Sequence, residues 1–215
     1  LLCSGKAAWE LDGGLGSGPA RLFAREGDEF AHTDYEEEFD FAVLCVESAT
    51  LPGEGVAAEV ADRTGVPTSG VFLPTAPAAS VAGGVATAAR AAEVALHRLA
   101  HLGYDPSDVL SATGVAPIPP IADDELAAAG RANDALAYGS RVHLVVRKDA
   151  DFSGLPFEAT DAHGKGSEEL LAGAGGLGDL EDVFAPAQVT VDVRGGPTHA
   201  LGTVDEDRLA GSFGL

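Results

Sequence analysis

Apolar positions recur along this chain with two different periods. From Val85 to Leu102 they return every 100° of helix, placing Val85, Ala88, Ala92, Leu96 and Leu99 on one face, opposite Arg90, Glu93, His97 and His101. Ala and Leu, which dominate the stretch, are strong helix formers. Gly103 stands where a left-handed cap is expected and Pro106 bars continuation, so the spacing predicts one helix over Val85–Leu102. Arg90 and Glu93, three residues apart, are neighbours on its surface. The preceding segment, Pro74-Thr75-Ala76-Pro77-Ala78-Ala79-Ser80-Val81-Ala82-Gly83-Gly84, is small, rigid and nearly free of side chains, as a backbone must be to approach a flat ligand closely. A charged row opposite an apolar face is ordinarily solvated surface. The bare loop beside it makes Arg90 and Glu93 a candidate site.

Elsewhere the period shortens to that of strands. Phe39–Val46, Ser69–Leu73, Asp108–Ala112 and Ser140–Arg147 read as strands, and Glu54–Thr64 as a helix stopped by Gly65. Ala122–Ala129 reads as a helix interrupted at Gly130, with Asp134–Tyr138 a separate turn. The glycine-rich stretch 149–182 offers a helix only at Ser167–Ala172. Ala187–Val193 and Thr198–Val204 flank Arg194-Gly195-Gly196-Pro197 as a hairpin, before a capped helix at Asp205–Ala210. Strands alternating with helices predict an α/β fold, a mixed or mostly parallel sheet packed with helices. Trp9 is expected at a packing edge.

Gly13-Gly14-Leu15-Gly16-Ser17-Gly18-Pro19 has the look of a phosphate loop, but Pro19 takes the place of the third glycine and no Gly-Lys-Ser/Thr follows. A glycine turn into a helix that starts near Pro19 is what remains. Its N-terminus and Arg21 are candidates for an anion, against the plainer reading of a packed turn.

Charge changes the picture most. The chain carries 34 acidic against 13 basic residues, a net charge of −21. A nucleic-acid partner is disfavoured and none is expected, since phosphate binding needs a basic footprint. With 46% hydrophobic residues the chain is a globular one, and dispersed acidity of this degree points to a salt-rich, halophilic cytoplasm where self-repulsion is screened. Cys3 and Cys45 are far apart and read as reduced thiols. His97 and His101 have the spacing of a zinc helix, but the general-base Glu and a third ligand are missing, so no metal is expected. No G-x-S-x-G elbow supports a serine nucleophile, and no run of about 18 apolar residues marks a membrane span.

Several segments together resemble one family. They are Gly16-Ser17-Gly18-Pro19-Ala20-Arg21, Ala76-Pro77 with Ser80 and Gly83, Arg90-x-x-Glu93, and Gly103-Tyr104-Asp105-Pro106. Pro117-Ile118-Pro119-Pro120-Ile121, Asn133-Asp134 with Tyr138-Gly139, and Phe184-Ala185-Pro186-Ala187-Gln188 follow in order. In order and spacing the chain resembles the methenyltetrahydromethanopterin cyclohydrolases over essentially its whole length. The resemblance implies a two-domain α/β fold with the ligand cleft between domains. Residues 1–20 would be the remainder of a truncated N-terminal part, 21–150 an α/β domain carrying the Arg90/Glu93 helix, and 151–215 a C-terminal segment returning to the first domain. The chain would then be the C-terminal two-thirds of the enzyme, a cytoplasmic homotrimer needing no cofactor, because the pterin carrier is the substrate.

The same resemblance implies roles for residues. Glu93 matches the acid/base glutamate and Arg90 its arginine partner. Ala76, Pro77, Ser80, Gly83, Gly84, Asn133, Asp134 and Arg21 would line the substrate. Gly114-Val115-Ala116 departs from the family's Gly-Arg-Cys, removing a cationic contact. A tetrahydrofolate carrier, or an inactive fragment or non-catalytic assembly piece, are the competing readings.

The charge imbalance predicts salt-dependent folding. Lowering salt from molar to ~0.01 M lengthens screening from ~3 Å to ~30 Å, so the melting temperature measured by circular dichroism should fall steeply. A melting temperature indifferent to salt would contradict the halophilic reading.

Overall fold

A computed structural model of the chain describes residues 8–26, 30, 35–174 and 183–215. The chain forms two compact units, Leu1–Ala78 and Ala79–Leu215. The division falls inside the loop that precedes the candidate site, and inside the segment 21–150 expected to be one domain.

In the first unit β1 (Trp9–Leu11) and β2 (Gly14–Ser17) form an antiparallel hairpin, with Trp9 opposite Gly16. The glycine stretch is thus a strand followed by a helix of only one turn, α1 (Arg21–Ala24). The expected strand Phe39–Val46 is two strands, β3 (Ala42–Val43) and β4 (Cys45–Glu47). Between them the Leu44 side chain is fully buried, its amide donating to the Phe72 carbonyl at 3.0 Å. There the chain changes partners. β3 pairs in parallel with β5 (Val71–Phe72), while β4 lies between β2 and β6 (Thr75–Ala76). Helix α2 (Glu54–Thr64) ends as its sequence dictates, with Gly65 at φ 73° donating to the Ala61 carbonyl. Trp9, Ala20, Ala42, Leu44, Val60 and Val66 make the core. Trp9, expected at an edge, is 5% exposed and carries the Arg63 guanidinium over its ring at 4.8 Å.

The second unit contains α3 (Val81–Ala88), α4 (Ala91–His101), β7 (Val109–Val115), α5 (Glu125–Ala137), β8 (Arg141–Val146), α6 (Ser167–Gly173), β9 (Gln188–Val193), β10 (Thr198–Gly202) and α7 (Glu206–Phe213). Its sheet runs β10-β9-β8-β7, with β8 and β9 parallel and the outer pairs antiparallel. The fold is therefore α/β with mixed sheets. Alternation puts Val142, Leu144, Val146, Val189, Val191 and Val193 on the buried face. Burying each contributes about 1.5–3 kcal/mol. Helix α4 covers β7 and β8, while α5 packs against α3, α6 and α7.

Two expectations about helices are corrected as well. The single helix Val85–Leu102 breaks at Ala89–Arg90, where the Arg90 amide donates to the Thr87 carbonyl in a tighter turn and Arg90 sits at φ −88°, ψ 5°. The start of α4 lies against β7: a Cβ on Gly114 would come 2.7 Å from the Ala92 nitrogen. The break rotates the buried stripe from the expected Val85/Ala88/Ala92/Leu96/Leu99 to Ala91, Val94, Ala95, Arg98 and Leu99, with Val85 left 43% exposed. Conversely, α5 runs unbroken through Gly130. That glycine is buried because α6 crosses it, with Glu168 Cβ only 2.7 Å from where a side chain would begin. Among the described residues no helix is long and apolar enough to cross a membrane.

Candidate active site

The break between α3 and α4 creates the candidate site. Ser80 opens α3, its Oγ accepting from the Gly83 amide at 3.0 Å, and the Ala79 amide donates to Glu125 Oε2 at 3.3 Å from the first turn of α5. Gly83 and Gly84 are buried in the first turns of α3. Arg90 then stands at the N-cap of α4 rather than on the solvated side of one long helix. Its guanidinium meets Glu93 as a fork, Nε to Oε2 at 3.0 Å and Nη2 to Oε1 at 3.3 Å. The arginine side chain is 9% exposed and the glutamate 55%. One partner is thus fixed in the protein, and the other is held by it while still open to an arriving molecule. Glu93 also lies in the first turn of α4, where the helix field favours negative charge.

The remaining residues singled out from the sequence are divided between the two units. Ala76 belongs to β6, in register with Glu47, and with Pro77 lies in the first unit, whereas Ser80, Gly83, Gly84, Arg90 and Glu93 lie in the second. Arg21 is a buried residue of the first unit, donating to the Glu26 carbonyl at 3.2 Å beneath the Phe30 ring. With one turn of helix behind it, it forms no anion-binding helix terminus. Asn133 and Asp134 are each 5% exposed on α5. Asn133 donates to Ser167 Oγ at 2.9 Å; Asp134 Oδ1 accepts from the Ser167 amide at 3.1 Å and from its hydroxyl, and Oδ2 from Ser212 Oγ at 2.6 Å. These two side chains tie α6 and α7 to α5. His97 is half-buried and His101 exposed on α4, and among the described residues no three His, Cys, Asp or Glu side chains converge on a metal position.

Sequence reasoning passed over Arg98, which is buried in the α4 stripe and donates through Nε to the Gly154 carbonyl at 3.1 Å. An arginine spaced seven from Ala91 and four from Val94 was the available signal. It also passed over Glu125, whose place at the start of α5 brings it to the Ala79 amide across 46 residues of sequence.

Sequence comparison gives the family to which this mixed α/β fold belongs. The profile of the family described as Cyclohydrolase (MCH) matches residues 1–213, and the chain belongs to that family. Relatives named methenyltetrahydromethanopterin cyclohydrolase include one from Halobacterium salinarum, 51% identical over 222 residues that cover 100% of this chain and 71% of the relative. Another from Methylobacterium nodulans is 37% identical, covering 99% of this chain and 71% of its own length. A third, from Methanothermobacter marburgensis, is 33% identical, covering 98% and 70%.

The Asp134 network predicts a structural rather than a binding phenotype. Asp134→Ala leaves the buried Ser167 donors and the half-buried Ser212 hydroxyl unmatched and should lower unfolding free energy by about 3 kcal/mol, at the cost of about 1–3 kcal/mol per buried stranded group. Urea unfolding in molar KCl checks this. Unchanged stability with a raised KM would make Asp134 a substrate ligand instead.

Proposed function

We infer that this chain is a cyclohydrolase that interconverts N5,N10-methenyl-tetrahydromethanopterin and its N5-formyl form by addition or loss of water. The observation that carries the site assignment is the Arg90–Glu93 fork, which pairs a buried cation with a half-open carboxylate at the start of α4. The substrate is a cation delocalised over N–C–N, so its carbon is already electrophilic. What the protein must supply is proton handling and a place for positive charge.

Glu93 supplies both. Its carboxylate attracts the cation and accepts a proton from water as the oxygen bonds to the methenyl carbon. The neutral carbinol adduct then breaks its C–N10 bond. Glu93 returns its proton to N10, and the carbinol hydroxyl loses its own as the formyl C=O forms, so one proton leaves to solvent per turnover. Arg90 is a positioning residue: its fork fixes the plane of the carboxylate and lowers the freedom lost at each transfer. Ala76, Pro77, Ser80, Gly83 and Gly84 border the pterin in this reading, and the carrier is substrate, not cofactor. Arg21, Asn133 and Asp134 have the internal partners described above, and their part is to hold the frame.

The same reading makes the protein a cytoplasmic homotrimer of a salt-requiring cell. Light scattering in molar KCl should return three times the 21.7 kDa chain, and a monomer mass would count against it.

Replacement of Glu93 gives the direct test. Glu93→Gln keeps the shape and removes the proton acceptor, so methenyl hydrolysis, followed by loss of the conjugated cation's absorbance, should drop at least ~10²-fold. Arg90→Lys keeps the charge but not the fork; it should lower turnover and shift the pH profile. His97→Ala should change little. Near-normal turnover in Glu93→Gln would reduce the pair to surface decoration and overturn the mechanism.

A further inference from the structure

The second unit contains a pocket of about 460 Å³ between α5, the start of α6 and α7, whose lining includes neither Arg90 nor Glu93. Three cationic side chains reach it from three directions: Arg131 from α5, Lys165 from the loop before α6, and Arg208 from α7. Such convergence is unexpected here. With 34 acidic residues against 13 basic, a cation readily finds a carboxylate in this protein, as Arg63, Arg90 and Lys148 do with Glu59, Glu93 and Asp108. Yet among the described residues no carboxylate stands within ion-pair distance of Arg131 or Lys165. Arg141, Arg147 and Arg194 also lack one, but they flank strands β8 and β9 and are not among the residues lining this pocket.

The cations are also arranged. Arg208 is fixed by three contacts: Nη1 on the Gly164 carbonyl at 2.9 Å, Nε against Asp205 at 3.3 Å, and its guanidinium 5.7 Å from the centre of the Tyr138 ring. Nη2 is left over. Arg131 is held through Nη1 by the Ile121 carbonyl at 3.1 Å, leaving Nε and Nη2. Lys165 has a whole ammonium to offer. On the pocket floor the Asp134 carboxylate is already engaged by Ser167 and Ser212, so Glu168 is the lining carboxylate with capacity to oppose an anion.

We propose that this pocket binds a phosphate-type oxyanion through Arg131, Lys165 and Arg208. Three separated donor groups suit a tetrahedral anion of nearly two charges, which presents oxygens in several directions, better than a planar carboxylate with two. The anion arrives either as free inorganic phosphate or as the end of a phosphate monoester. The assignment does not depend on the role given to Glu93.

Isothermal titration of the full chain with inorganic phosphate, in molar KCl to keep chloride constant, tests it. Saturable binding with one phosphate per chain is expected. Lys165→Gln and Arg131→Gln should each weaken it by roughly tenfold, the loss of one charge-assisted contact. Glu168→Gln should tighten it, and Arg194→Gln, a cation removed from an exposed turn, should leave it unchanged. A parallel titration with glycerol 3-phosphate separates the sources: much tighter binding than phosphate indicates a monoester, equal or weaker binding the free ion. Absence of saturation, or affinity that is insensitive to Lys165 and Arg131 in variants whose circular dichroism is unaltered, would overturn the proposal.

Discussion

The close approach of α4 to β7 at Gly114 governs the second unit. Because β7 carries no side chain there, the first turn of α4 comes down onto the strand at Ala91 and Ala92. A helix continuing straight from α3 would have to reach that position on the same axis, and the chain instead turns at Ala89–Arg90. From that one constraint follow the rotated apolar stripe, the burial of Arg98, and the location of Arg90 at a helix start. The fork with Glu93 follows from the three-residue spacing alone, and with it goes the burial of Arg90 at the helix start.

Electrostatics then assigns separate jobs to the few cations. Lys148 stands 2.7 Å from the buried Asp108 carboxylate, which raises the lysine pKa above its ordinary value by hydrogen bond and charge. Arg63 covers Trp9 while pairing with Glu59, so its charge and its planar face both contribute to the first unit's core. Arg90 is withdrawn from solvent almost completely, with its guanidinium forked on Glu93. In a chain of net charge −21 a cationic substrate is attracted by the surface as a whole.

What was legible in the sequence was local. Gly65 stops α2 where its backbone requires a left-handed residue, and the Arg194–Pro197 turn closes the β9–β10 hairpin because its glycines and proline leave few alternatives. What was not legible depended on contacts remote in sequence. Gly130 carries the mark of a helix breaker, but it is a crossing point for α6, and nothing between residues 122 and 138 says so. The break at Ala89–Arg90 has no proline or glycine of its own, and the strand position its helix comes down on, Gly114, is twenty-four residues away. Asp12-Gly13 was the missed hairpin signal, overshadowed by a glycine pattern that suggested phosphate. The expected helix 205–210 extends to Phe213, its Asp205 cap accepting from the Arg208 amide as the sequence indicated.

Candidate residues sort by a physical criterion that sequence cannot apply. Asn133-Asp134 and Arg90-x-x-Glu93 are equally conspicuous polar pairs on helices, and resemblance placed both at the substrate. In the structure the two pairs differ in what their oxygens and nitrogens have left to offer. Asp134 accepts three hydrogen bonds in a nearly closed environment, and a ligand could gain from it only by breaking what holds α6 and α7 in place. Glu93 takes its orientation from one side and presents the other half of its surface outward, so an arriving molecule can use it without dismantling the fold. A buried polar group with its capacity filled stabilises the fold; one that is oriented yet half exposed can be reached from solvent. By that criterion the fork at the start of α4 keeps an accessible carboxylate, and the α5 network is part of the frame.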